Sequence, residues 1–140
     1  MNTKKLINSF KYAFMGIKSA FRTEQNMKIH FAIMVLVILS GIFLHIDIKE
    51  WITCVGCFAC VIGAEMFNTA IEKTVDLANP EKNEIAKLAK DISTGAVLVF
   101  AIGSAIIGLL IFVTKIINEK SLYEFIGSLL FINLVFFYIY

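Results

Sequence analysis

The sequence predicts an all-α integral membrane protein, with an N-terminal amphipathic surface helix, three transmembrane helices and an extra C-terminal helix. Three observations carry that prediction. Of 140 residues, 59% are hydrophobic, and the mean hydropathy is +0.80, above the range of ordinary soluble domains. Four apolar blocks stand out, at about 29–46, 51–70, 92–114 and 122–140, against the ~20 residues a span needs. There is no barrel-like alternation, and helices are the other way to satisfy backbone groups in lipid.

The elements follow in chain order. The opening stretch MNTKKLINSFKYAFMGIKSAFRTE is too evenly mixed for the apolar core of a signal peptide. Ile7, Phe10, Phe14, Ile17 and Phe21 share one helical stripe, and Lys4, Lys11, Lys18 and Arg22 lie to one side of it. A surface helix over about 4–24 is expected, lying on the membrane or packing on the rest of the chain. Spans are expected at about 28–46, 50–76 and 88–114; the last holds 23 uncharged residues in a row. Residues 1–114 form one domain on this reading. Ser121 and Glu124 match a capping box that would open a separate helix over 121–140, read as a further span, with a helix along the interface as the alternative.

Charge sets the topology. Six Lys and Arg precede the first span, one (Lys49) follows it, and four (Lys73, Lys82, Lys87, Lys90) lie between the second and third. The positive-inside rule then puts the N-terminus and the 73–91 region in the cytoplasm. A net charge of +2 leaves no nucleic-acid footprint.

Two patterns carry no chemistry. Cys54, Cys57 and Cys60 resemble an iron–sulfur run, but no fourth cysteine exists and the thiols spread around a helix. They are read as small apolar filler. His30 and His45 stand about 22 Å apart along a helix and cannot share a metal within one chain.

One segment does carry chemistry. Fourteen uncharged residues, WITCVGCFACVIGA, run directly into EMFNTAIEKTVD. Fourteen are too few to span, so the helix must carry Glu65 and Asn68 into the hydrocarbon. Glu65, Asn68, Glu72 and Asp76 fall within about 80° of one another around that helix. A charge in a span costs about 2.5–3.5 kcal/mol even on the lenient insertion scale, which favours a function over a helix–helix polar clasp. Glu24 and Lys90–Asp91 stand at the same membrane surface on other segments. Carboxylates suit Mg²⁺, which takes one or two of them plus substrate phosphates. Lysine suits phosphate as a point charge, and a desolvated carboxylate suits a general base. These are the parts of a phosphoryl-transfer site whose acceptor lies at the bilayer face.

EMFNTAIEKTVD and AKLAKDISTGAVL closely resemble the prokaryotic diacylglycerol kinase family, over about residues 5–114. NMKIHF and NTAIEKTVDL resemble its Gram-positive branch of undecaprenol kinases. The resemblance implies a homotrimer with shared active sites and ATP-dependent phosphorylation of a membrane lipid alcohol. Undecaprenol is the expected acceptor and diacylglycerol the alternative. It further implies Glu65 as general base, Glu72 and Glu24 as ligands of the nucleotide's Mg²⁺, and Asn68 and Lys90 as phosphate contacts. Asp76 and Asp91 would seat the nucleotide, beside Tyr12 on the surface helix. Lys5 stands where the enterobacterial branch has arginine, so its contact would not be bidentate; His30 stands where that branch has an acid. Ser104 and Gly108 form a small-xxx-small pair that permits close helix approach. The 115–140 tail lies outside the resemblance.

Two other classes compete. An ion or proton transporter could use Glu65 and Glu72 as a carriage site, but the acids gather at one membrane face. A structural membrane protein would need no clustered carboxylates.

Overall fold

Helix formers fill this chain and its single proline lies between elements, so four helices account for nearly all of the described residues. In the computed structural model these are α1 (Thr3–Thr23), α2 (Gln25–Phe43), α3 (Ile48–Ala78) and α4 (Glu84–Ile139). The described residues are 3–81 and 83–139, with backbone alone for 119, 121, 122 and 124–139; Lys82, counted above in the charge balance, falls outside them. Among the described residues, three segments are long and apolar enough to cross a membrane: Gln25–Phe43, Ile48–Ala78 and Glu84–Asn118.

α1 meets the rest of the chain at its C-terminal end. Ala20 is its one buried residue, and Phe21 packs edge-on against Phe31 of α2, ring centroids 5.2 Å apart. Ile7, Phe10 and Phe14 are exposed. The N-terminal part of the apolar stripe therefore does not pack on the chain's own bundle, which leaves it free for a membrane surface.

α2 begins straight after Glu24, whose extended backbone breaks it from α1. It ends at Phe43, earlier than the expected 46, because His45 takes a left-handed φ of 50° and turns the chain. Asp47 then opens α3 with a reciprocal capping box: its carboxylate accepts from the N–H groups of Lys49 and Glu50, and Glu50 accepts from the Asp47 N–H at 2.7 Å. Those backbone donors hold the Asp47 carboxyl below its usual range, Glu50's N–H most strongly. Gly41 sits beneath this turn. A Cβ there would lie 2.9 Å from both Ile46 Cδ1 and Trp51 Cη2.

α3 and α4 form the most extensive pairing. At the turn end, Lys115 reaches Glu50 at 3.8 Å. At the other end Lys90 pairs with Asp76 at 2.9 Å. The expected C-terminal helix is present as the continuation of α4, with no break at residue 121. The linking stretch TKIINEKSLYEF contains neither Pro nor Gly, so nothing local interrupts the backbone ladder. The side-chain part of the Ser121–Glu124 capping box lies outside the described residues.

Candidate active site

Depth along α3 decides where the polar face lies. Ile48 starts the helix at the turn end, and Glu65 is seventeen residues on, about 26 Å at 1.5 Å per residue. That is just inside the far edge of a ~30 Å hydrocarbon layer. Asp76 lies about 16 Å further along, beyond that layer. The helix thus carries a carboxylate into lipid and two more out through the interface.

Glu65 is 2% exposed, and its Oε2 has no hydrogen-bond partner among the described residues. A buried, unpaired carboxylate oxygen is costly, so its retention points to a use. The charges of Glu72 and Glu24 both act on it. Its own carbonyl accepts from Thr69 Oγ1 at 2.9 Å.

Asn68, one turn on, is held from α4. Its Oδ1 accepts from Ser93 Oγ at 2.6 Å and from Thr94 Oγ1 at 3.3 Å. Its Nδ2 donates to Glu72 Oε1 at 3.2 Å. Both hydroxyls also reach the Lys90 carbonyl, so each single proton is shared between two acceptors. These contacts orient the amide and tie the Glu72 carboxylate to it.

Glu24, at the α1–α2 junction, is brought to the same place by an ion pair with Lys73 of α3 at 3.1 Å. The Thr23 hydroxyl, 2.7 Å from its Oε1, holds its carboxyl below the usual range first, and the Lys73 ammonium second.

A second group lies further out. Asp76, Lys90 and Asp91 line an open cleft of about 510 Å³ together with Pro80, Glu84 and Lys87. Within the membrane an apolar groove of about 530 Å³ runs between α2, α3 and α4, bordered by His30, Cys54, Phe58, Val61 and Ser104. It lies on the hydrocarbon side of Glu65.

The expected residues therefore fall into two connected groups and one that stands apart. Glu65, Asn68, Glu72 and Glu24 gather at the interface; Asp76, Lys90 and Asp91 form the cleft beyond. Tyr12 and Lys5 are exposed on α1, and their side chains make no hydrogen bond or ion pair to the described residues. Ser93 and Thr94 contact Asn68, and Lys73 contacts Glu24, so all three join the candidate site through packing. Ser93 and Thr94 were legible only as two polar residues just inside an uncharged run.

Among the described residues, no three His, Cys, Asp or Glu side chains close into a metal-binding cluster. The donors near Glu65 are carboxylates alone. That set fits a magnesium ion, which typically takes one or two carboxylates and fills its shell with water and phosphate.

Comparison with known proteins agrees with this picture. The chain is 41% identical over 112 residues to "Undecaprenol kinase" of Bacillus subtilis, covering 80% of this chain and 91% of that protein. It is 38% identical over 104 residues to "Diacylglycerol kinase" of Synechocystis, 74% of this chain but 59% of that one. It is 32% identical over 94 residues to "Diacylglycerol kinase" of Haemophilus influenzae, 67% of this chain and 80% of that one. The family described as prokaryotic diacylglycerol kinase matches residues 11–112. With a polar face at membrane depth and a family match across most of its length, this chain is a member of the prokaryotic diacylglycerol kinase family.

Proposed function

We propose that the protein is a membrane lipid kinase, transferring the γ-phosphoryl group of ATP to the primary hydroxyl of undecaprenol. The observation that carries the reading is Glu65: a buried carboxylate with an unpartnered oxygen, at the depth where an anchored alcohol presents its hydroxyl. A water-soluble acceptor would need no base there.

The roles follow from position. Glu65 accepts the proton of the lipid hydroxyl as the hydroxyl oxygen attacks the γ-phosphorus. The bond from that phosphorus to the β–γ bridging oxygen breaks and ADP leaves. Asn68, oriented by Ser93 and Thr94, donates toward phosphate. Lys90 serves as a point charge for phosphate once it leaves Asp76. Asp76 and Asp91 line the cleft that would seat the nucleotide, with Tyr12 and Lys5 approaching from α1. Glu72 and Glu24 would hold Mg²⁺, which when bound neutralises phosphate charge. Because Tyr12 and Lys5 stand apart within one chain, a homotrimer sharing its sites between neighbours is the assembly proposed. The Lys-rich N-terminus and 73–91 region support a cytoplasmic site through the positive-inside rule.

Undecaprenol is preferred to diacylglycerol because the relative sharing 41% identity carries that name. The test compares rates of phosphate transfer from labelled ATP to undecaprenol and to a short-chain diacylglycerol. The expected result is faster transfer to undecaprenol; faster transfer to diacylglycerol would reassign the acceptor and leave the kinase reading standing.

A further inference from the structure

α4 is too long for one crossing. It holds 56 residues, about 84 Å of helix at 1.5 Å per residue, against a hydrocarbon layer of ~30 Å. Two ion pairs fix where it crosses. Lys90 meets Asp76 at the site end, and Lys115 meets Glu50 at the turn end, beside the Asp47 cap. Residues 91–115 already cover about 36 Å. Everything beyond Lys115 therefore leaves the layer that α2 and α3 define, past the α2–α3 turn.

The sequence of that part is not suited to water. Lys115, Glu119, Lys120 and Glu124 make a charged decade, and then 16 residues, FIGSLLFINLVFFYIY, carry no charge. From Leu129 to Phe137 the single polar residue is Asn133. Such a helix is apolar on every side, so it lacks the polar face that an interfacial helix presents to water. Leu122–Tyr140 is 19 residues, about 28 Å of helix, close to one hydrocarbon thickness. Tyr123 at one end and Tyr138 and Tyr140 at the other are the residues that favour membrane interfaces. Ser121 and Glu124 have the spacing of a capping box that opens a helix at the head of this run.

We propose that in a bilayer residues 122–140 turn back as a fourth membrane span, reversing within residues 115–121, so that Tyr140 returns to the side of the membrane that holds α1. The isolated chain keeps α4 continuous because nothing local breaks it; the bilayer's thickness supplies the constraint. The segment lies beyond the family match, which ends at residue 112, and the inference is independent of the catalytic reading.

The test places an epitope tag after Tyr140 in the full chain, or after Asn118 in a chain ending there, each with a second tag on the N-terminus. Protease is added to sealed membrane vesicles of one orientation. The expected result is that the tag after Tyr140 is digested or protected together with the N-terminal tag, while the tag after Asn118 behaves oppositely. An interfacial or partner-covered segment would leave the Tyr140 tag opposite α1. Both C-terminal tags on one side, whichever side it is, would overturn the fourth span.

Discussion

Asn68 accepts from two hydroxyls on α4 and donates to Glu72, so its amide is oriented by three neighbours. Ser93 is the nearer hydroxyl and acts through Asn68 rather than on substrate. Ser93→Ala should lower turnover about 2- to 10-fold, the worth of one net hydrogen bond. A purely structural role would lower thermal stability and leave the turnover of folded protein alone. Glu24 makes a pH prediction. Its carboxyl is held low by Thr23 and then Lys73, with Lys28 adding a smaller attraction. A lowered folded-state value means the stabilisation is present above the ordinary 4.5 and is lost as pH falls through the depressed value. The stability gap between the wild type and Thr23→Val should therefore close on acidification below that point, read by thermal unfolding in detergent. A gap that stays constant to low pH would remove the Thr23 contact as its origin. Metal binding is tested at the same scale. Glu72→Gln and Glu24→Gln should each raise the Mg²⁺ concentration needed for half-maximal phosphorylation, and unaltered metal dependence in either would count against its role.

At the scale of elements, the α2–α3 turn is the least tolerant junction. Gly41→Ala sets a methyl 2.9 Å from Trp51 and Ile46 and should cost about 1–3 kcal/mol by overpacking. His45→Val places a β-branched residue at φ 50° and should cost about 1–2 kcal/mol. Thermal unfolding of both variants checks these values. Much of each element was legible beforehand. The shortness of the run before Glu65 placed that residue in the membrane, and helical angle placed Asn68, Glu72 and Asp76 beside it. What periodicity does not tell is which side chain of a neighbouring helix lands opposite. Hence Ser93 behind Asn68, Lys73 beside Glu24 and the Lys90–Asp76 pair emerged only from packing. The early end of α2 rests on one left-handed residue, which no apolar pattern marks. The continuity of α4 was hidden because Ser121 and Glu124 carry the spacing of a helix start.

The whole molecule joins a sparse bundle to lipid. Few side chains are buried, and large apolar residues face outward along α2, α3 and α4, as a bilayer solvent allows. The site residues all precede residue 95, so a chain ending at residue 120 should still insert and phosphorylate lipid. Complete loss of activity in a well-folded truncation would bring the C-terminal segment into the site. The central claim is that a membrane-embedded carboxylate activates a lipid hydroxyl. Glu65→Gln keeps the side chain's size and removes its basicity. The most direct measurement is undecaprenol phosphorylation by this variant, read beside ATP affinity in the same preparation. General-base removal predicts a turnover loss of about 10²- to 10⁴-fold with ATP binding largely kept. Normal turnover, or ATP binding and turnover lost together, would contradict it.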